Sequence, residues 1–440
     1  MASFSDTIFA LSSGPLPAGV AVVRISGSAA FAACEKLAGK LPDARIASLR
    51  SIRNRDGNLL DQALVLVFPG PNSFTGEDCV ELHLHGSRAV LSAVYAELEA
   101  SGCRTAEAGE FSRRAFQRGK LDLAEVEGLG DLLAAETEMQ RRLAISGSSG
   151  TQSKLYASWR QRILHARAML EAELDFADEE DVPGSLAQSV IRDVAALREE
   201  MQEHIRLEGA GEIIRDGFKA VIVGAPNAGK SSLMNALAGN DVAIVTDIAG
   251  TTRDVLHADL NLSGYLVRLY DTAGLREATD KVERMGIDRA RVKISEADLI
   301  LLLCDLQATD HTGPDLPDGI PIVSVGTKLD LNPDVYAGKY DLVISTETGA
   351  GIDELRNEII RHIEARTHGL TQVVPSRLRH VNHIKNAIFA LRTADDWSIR
   401  ETEFLAEDLR QAADALGRIS GRIDTEEVLG VIFSSFCIGK

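Results

Sequence analysis

The segment Gly224-Ala-Pro-Asn-Ala-Gly-Lys-Ser231 constrains this chain more than any other. It matches GxxxxGK[ST], with an apolar run, KAVIVG, before it and a helix-forming run, SSLMNALAG, behind it. Strand, glycine-rich turn and helix in that order wrap backbone N–H groups around a phosphate, and the helix N-terminus adds favourable partial charge. Lys230 is then placed to bridge the β- and γ-phosphates, and Ser231 to ligate Mg²⁺. A sheet is therefore expected here, with this turn at the carboxyl end of one of its strands.

The pattern around the turn supplies that sheet. Candidate strands fall at residues 219–223, 266–270, 298–304, 321–325 and 342–344, with helical spacing between them. Such alternation predicts a mostly parallel sheet with helices on both faces. Residues 121–215 are different: glycine and proline thin out, and apolar residues recur at three and four, as in Leu164, Ala168, Leu170 and Leu174. That spacing predicts long bundled helices. The chain turns helical again after Thr367, so the α/β unit reads as an insertion in a helical domain. Residues 1–119 read as a separate mixed α/β unit, with strands at 19–25, 63–68 and 79–85 and a helix at 87–100. The expected fold class is thus α/β plus all-α, divided at 1–119, 120–216, 217–366 and 367–440.

At 440 residues the chain can hold two to three domains. No run approaches the ~18 apolar residues of a membrane span. The first residues lack a basic stretch followed by an apolar one, and the five cysteines (Cys34, Cys79, Cys103, Cys304, Cys437) are scattered without a CxxC. Both features predict a cytoplasmic protein without disulfides or a zinc site. A net charge of −18 argues against a protein that lives by non-specific phosphate contacts. A nucleic-acid partner would need a local patch or a second protein.

The remaining nucleotide elements arrive in order. Gly250-Thr-Thr-Arg-Asp254 offers hydroxyls that can close over Mg²⁺ and the γ-phosphate. In Asp271-Thr-Ala-Gly274, the aspartate can hold a Mg²⁺-bound water and the Gly274 N–H can sense the γ-phosphate. Asp330, in Thr327-Lys-Leu-Asp330, can accept the N1–H and 2-amino hydrogens of guanine, which adenine cannot supply. Ser345-Thr-Glu347 can present a backbone N–H to guanine O6. Together these select GTPase over ATPase or P-loop kinase. Two departures stand out. Thr327 occupies a position that usually holds Asn; its hydroxyl can partly replace the amide. Leu275 follows DTAG, where Ras-like GTPases carry the Gln that orients the attacking water. Glu283 is the nearest acceptor for that water's proton, with Arg276 and Arg284 as charge stabilisers. On residue type alone, Glu283 reads as an exposed helix charge in a salt bridge.

GAPNAGKSSL, VTDIAGTTRD, DTAGLRE, VERMGIDRA and the terminal FCIGK, with RISG, GEDCVELHLHG and GKLDLAEVE nearer the N-terminus, resemble the tRNA-modifying GTPase family MnmE (TrmE) over the whole chain. The resemblance implies a nucleotide pocket built from Asn227, Ala228, Gly229, Lys230, Ser231 and Ser232, with Thr246, Asp247, Ile248, Ala249, Gly250, Thr251 and Thr252. Asp271, Thr272, Ala273 and Gly274, then Thr327, Lys328, Asp330, Ser345 and Thr346, complete it. It implies K⁺ held by Asn227, Thr246, Ile248 and Thr251, and Mg²⁺ held by Ser231 and Thr252. Glu283 becomes the catalytic carboxylate beside Lys230, and the G domains pair transiently across their nucleotide faces. The N-terminal domain is implied to dimerise and to bind 5-formyl- or methylene-tetrahydrofolate through Arg24, Glu81, Lys120 and Lys440, with Cys437 near the folate. The implied partners are an FAD-dependent protein, MnmG (GidA), in a heterotetramer-like complex, and tRNA, which receives a carboxymethylaminomethyl-type group at U34. His83 and His85 share a strand face without a third ligand, which favours a structural or folate-lining role over a metal. The competing reading is an Era-like regulatory or ribosome-assembly GTPase, but no basic GxxG module follows residue 367.

Overall fold

The computed structural model describes residues 6–175, 186–239, 257–271, 292–308, 316–332, 339–367, 373–392, 402–421, 432, 436 and 439. Two compact units emerge: residues 1–130 with 417–440, and residues 131–416.

The first unit is built on a six-stranded sheet in the order β3-β4-β5-β2-β1-β6. Its strands are β1 (Ile8–Leu11), β2 (Ala18–Ser26), β3 (Ser48–Arg53), β4 (Leu59–Phe68), β5 (Cys79–Gly86) and β6 (Arg104–Thr105). All neighbours run antiparallel except β1 and β6. Alternation places Val23, Ile25, Val65, Leu82 and Leu84 in one core with Phe9 and Leu98. Helices α1 (Ala30–Ala38) and α2 (Arg88–Ala100) pack on that sheet, and Ser87 caps α2 by accepting from the Ala89 N–H. α3 (Glu110–Gln117) and α4 (Leu123–Ala134) follow.

This unit also contains a buried ionic cluster. The Arg114 side chain is fully buried. It donates to Glu110 Oε1 (2.8 Å), Asp6 Oδ1 (2.8 Å) and Glu77 Oε2 (3.2 Å). Arg104 bonds Asp6 and Glu110 as well, and Arg118 donates to Glu77 at 2.8 Å. Burial pushes the Glu110 carboxyl up, but the Arg104 and Arg114 guanidiniums hold it below the usual range.

The second unit carries helices α5 (Glu138–Ser148), α6 (Thr151–Asp175), α7 (Leu186–Arg206) and α8 (Glu208–Asp216), and then a second sheet. Its order is β12-β11-β10-β7-β9-β8. The strands are β7 (Phe218–Gly224), β8 (His257–Leu262), β9 (Tyr265–Asp271), β10 (Leu299–Asp305), β11 (Ile322–Thr327) and β12 (Leu342–Val343). All pairs are parallel except the β8–β9 hairpin. Helix α9 (Lys230–Ala238) follows β7, α10 (Ile352–Thr367) follows β12, and α11 (Leu378–Ala390) and α12 (Thr402–Ile419) return to helix.

Each sheet also holds an edge strand beyond those expected from the apolar runs. β3 (SLRSIR) is an edge strand whose arginines mask its period. β8 (HADLNL) is joined to β9 by Ser263 and Gly264 at φ 50° and 88°, the positive values of a tight hairpin turn. The Ser-Gly pair between two alternating runs is the signal that marks it.

Within the helices, Tyr156 and Trp159 from α6 stack edge-on against His204 of α7. Tyr156 Oη lies 3.1 Å from His204 Nε2. Burial and the neighbouring His380 draw the His204 imidazole down to about 4 from its ordinary 6.5, against the pull of Glu200. Such a base is neutral in the fold and takes up a proton on unfolding. Its stabilising share is whole above pH 6.5 and is lost as pH falls toward 4. Between pH 7 and 5 the loss is about 2 kcal/mol. Urea melts followed by tryptophan fluorescence should show this loss, and His204→Leu should remove it from the pH slope; an unaltered slope would exclude His204 as its source.

Candidate functional site

The phosphate turn lies where β7 meets α9. Gly224 has no room for a side chain, because a Cβ there would fall 2.6 Å from the Leu303 carbonyl of β10. Asn227 and Gly229 adopt positive φ, 65° and 88°, which curls the loop back on itself. Lys230, the first residue of α9, is buried and donates from Nζ to the carbonyls of Gly224 (2.9 Å) and Ala225 (2.7 Å). Its ammonium is thus held by the backbone of the loop it serves.

Beside it, Ser231 Oγ donates to Asp271 Oδ2 at 2.9 Å. These are two hard oxygens, one from the first turn of α9 and one from the last residue of β9. Neighbouring ligands in an Mg²⁺ octahedron with bonds of about 2.1 Å lie about 3 Å apart, so the donor types and spacing suit that ion. Asn227 is exposed at the loop tip.

The end of β11 supplies the other half. Thr327 is buried, and its hydroxyl donates to the Ala228 carbonyl at 2.9 Å. Lys328 turns left-handed at φ 65°, and its Nζ donates to Asp305 Oδ2 at 2.6 Å. Burial opposes ionisation of Asp305, but Lys328 and the Gln307 N–H hold its carboxyl below the usual range. Asp330 is exposed, and its Oδ1 accepts from Ser345 Oγ at 2.5 Å. Ser345 is fully buried, and its hydroxyl also accepts from the Glu347 and Thr348 N–H groups. The Ser345 N–H itself donates to the Ala350 carbonyl. Within this segment, Thr346 is therefore the position from which an N–H can point outward.

In the first unit, Arg24 and Glu81 are register partners on β2 and β5. Arg24 donates from Nε (3.1 Å) and Nη2 (2.9 Å) to Glu81 Oε1. The guanidinium lies 5.1 Å from the Phe74 ring and 5.7 Å from the Phe111 ring. Lys120 follows α3, with its Cγ 3.3 Å from where a Gly76 Cβ would stand. Near the chain's end, Ser12 Oγ donates to the Gly439 carbonyl at 2.8 Å. His83 and His85 do not converge: His83 Nε2 lies 3.5 Å from Glu81, and His85 Nδ1 lies 2.7 Å from Asp61.

Ser232 lies on α9. Thr246, Asp247, Ile248, Ala249, Gly250, Thr251, Thr252, Thr272, Ala273, Gly274, Glu283, Cys437 and Lys440 lie outside the described residues, as do Leu275, Arg276 and Arg284. Sequence reasoning missed Asp305, which anchors Lys328, and the two rings flanking Arg24. An aspartate directly after the apolar run 299–304 was the available signal for the first.

A mostly parallel sheet with a lysine-bearing phosphate turn, a hydroxyl–carboxylate pair beside it and an aspartate at the base end defines a P-loop GTPase. The comparisons narrow the class. The family described as "GTP-binding protein TrmE N-terminus" matches residues 7–120, and "MnmE helical domain" matches residues 123–437. A tRNA modification GTPase MnmE of Sinorhizobium medicae is 57% identical over 441 residues, covering 99% of this chain and 100% of that protein. Another, of Rhizobium johnstonii, is 56% identical with 100% of each chain covered. Among solved structures, the G domain of the T. maritima FeoB iron transporter is 23% identical over 33% of this chain and 98% of its own, with a TM-score of 0.24. The chain belongs to the tRNA modification GTPase MnmE family.

Ser345→Ala removes a buried hydroxyl that serves Asp330 and two N–H groups, so GDP affinity should fall roughly tenfold with the sheet intact. Calorimetric titration with GDP, alongside circular dichroism, checks this; an unchanged affinity would detach Ser345 from the base end.

Proposed function

We propose that this chain hydrolyses GTP in a K⁺-stimulated reaction and uses the resulting motion to modify tRNA at wobble uridine U34. The observation that carries the first half is the convergence of Lys230, Ser231 and Asp271 at strand ends that also bear Thr327 and Asp330. Full-length similarity to the tRNA modification GTPases supports the second half.

Lys230 neutralises the β/γ-phosphate bridge as negative charge moves onto it. Bound at Ser231 and Thr252, Mg²⁺ supplies further charge to the phosphates. Bound at Asn227, Thr246, Ile248 and Thr251, K⁺ supplies the positive charge that an arginine finger gives elsewhere. Glu283 acts through water, since Leu275 cannot orient a nucleophile. Asp330 accepts from the guanine N1–H and 2-amino group, while the 345–348 segment faces O6. Asp330→Asn should shift preference from GTP toward xanthosine triphosphate.

The four segments 1–119, 120–216, 217–366 and 367–440 are assigned as a folate-binding and dimerising domain, a helical domain, an inserted G domain and the rest of the helical domain. A tetrahydrofolate would take Glu81 with its pterin donor edge, the Phe74 and Phe111 rings lying close by. Arg24, released from Glu81, Lys120 and Lys440 would face its carboxylates. Held there, a folate would supply the one-carbon unit, with the FAD-dependent MnmG partner in the same complex. Cys437 is assigned to the same region.

Two measurements test this. GTP turnover should be faster in KCl than in NaCl at equal ionic strength; equal rates remove K⁺ from the mechanism. Glu283→Ala should lower turnover by at least tenfold while leaving GDP affinity nearly unchanged. The pathway itself is tested by reconstitution with the flavoprotein, GTP, K⁺ and folate: unmodified U34 would sink it.

A further inference from the structure

We infer that Thr327 straps the base end to the phosphate loop and gives no hydrogen bond to N7 of a bound guanine. The inference rests on the guanine-site reading proposed above and specifies how that site divides its labour. Thr327 is buried at the last position of β11. Its Oγ1 lies 2.9 Å from the Ala228 carbonyl and 3.4 Å from the Cys304 carbonyl. Both neighbours only accept, so the hydroxyl must donate, and it has one proton to give. Branching at Cβ restricts χ1, which limits any swing of that hydroxyl away from the loop. On the loop side, Oγ1 is also 3.9 Å from where a Gly229 Cβ would stand, so the hydroxyl lies against the backbone of the phosphate turn.

The residues beyond Thr327 fix where a purine can lie. Lys328 is turned away at φ 65° and tied to Asp305. Asp330, three residues on, is braced by Ser345 and faces solvent. A guanine with its N1 and 2-amino edge on Asp330 and its phosphates in the loop spans the gap that Thr327 bridges. There it meets a methyl group and hydroxyl lone pairs. N7 is itself an acceptor, so no bond forms. An asparagine has two amide protons, one for the Ala228 carbonyl and one to spare. Adenine carries the same N7 acceptor, so the missing bond lowers affinity without touching guanine selectivity, which stays with Asp330 and the segment facing O6.

Calorimetric titration of the full chain with GDP, 7-deaza-GDP and ADP tests this. 7-Deaza-GDP replaces N7 with a C–H, and it should bind within twofold of GDP. Thr327→Asn should favour GDP over 7-deaza-GDP by about three- to tenfold, the worth of one added hydrogen bond. Thr327→Val should weaken both by a similar factor, and Thr327→Ser should restore both. If the unaltered chain binds 7-deaza-GDP fivefold or more weakly than GDP, the hydroxyl serves N7 and the inference is overturned. If Thr327→Val leaves both affinities unchanged, the strap is overturned. ADP binding as tightly as GDP would instead defeat the guanine-site reading itself. Should any of the three variants fail to fold, the comparison of GDP with 7-deaza-GDP on the unaltered chain still decides.

Discussion

The register of the parallel strands is the constraint on which the nucleotide site depends. Gly224 pairs with Leu303, Ile222 with Asp271, and Asp305 with Thr327. Parallel pairing brings all the carboxyl ends to one side, and the pairing register sets how far each projects. A slip of one residue would turn Asp271 to the other face of the sheet and carry its carboxylate away from Ser231. The buried faces make such a slip costly, since Val221, Ile222, Leu269, Ile300, Leu301 and Val325 are all inaccessible to solvent. The chemistry thus inherits its precision from hydrophobic packing, and the polar bonds at the strand ends add local aim.

The first unit uses a different kind of constraint. Its cluster places three carboxylates around the one buried guanidinium, that of Arg114, a costly arrangement unless partners are in place. Removing the Arg114 guanidinium would leave the buried Glu110 and Glu77 carboxylates with only the half-exposed Arg104 and Arg118 as partners. What the cluster achieves is joining distant parts of the chain: Asp6 before β1, Glu77 before β5, Arg104 on β6 and α3. The same region supports Arg24, whose guanidinium lies by Phe111 of α3. The ionic cluster and the Arg24–Glu81 pair therefore share a helix, and the position of one fixes the position of the other.

The sequence was legible where residue type and local order suffice. Gly224, Lys230, Ser231, Asp271 and Asp330 announced themselves because their spacing along strand–turn–helix units is a local property. The five strands of the second sheet that follow apolar runs were visible for the same reason. β3 was hidden because arginines interrupt its period at the sheet edge, whereas β8 does alternate, through Ala258, Leu260 and Leu262, and the Ser-Gly turn after it is the mark that went unread. Arg114 was unreadable, since nothing in EFSRRAFQ distinguishes a buried arginine from its exposed neighbours. At Thr327 residue type shows a hydroxyl but not its acceptor, Ala228, which stands 99 positions away. Long-range partners decide what a polar group can still do, and only the fold supplies them.

β9 shows how far such long-range arrangement reaches. Its last residue, Asp271, stands against Ser231. Its first, Tyr265, is buried, with its hydroxyl 3.4 Å from Thr367 at the end of α10. The turn just before it presents the Gly264 carbonyl to the Met139 N–H in the first turn of α5. Gln140, in the capping box of α5, reaches from its side chain to the Arg215 carbonyl at the end of α8. Seven residues of strand thus separate the carboxylate beside Ser231 from the packing of three helices. A strand held by neighbours on both sides resists bending, so Asp271 and the Gly264 turn are ends of one rigid strut.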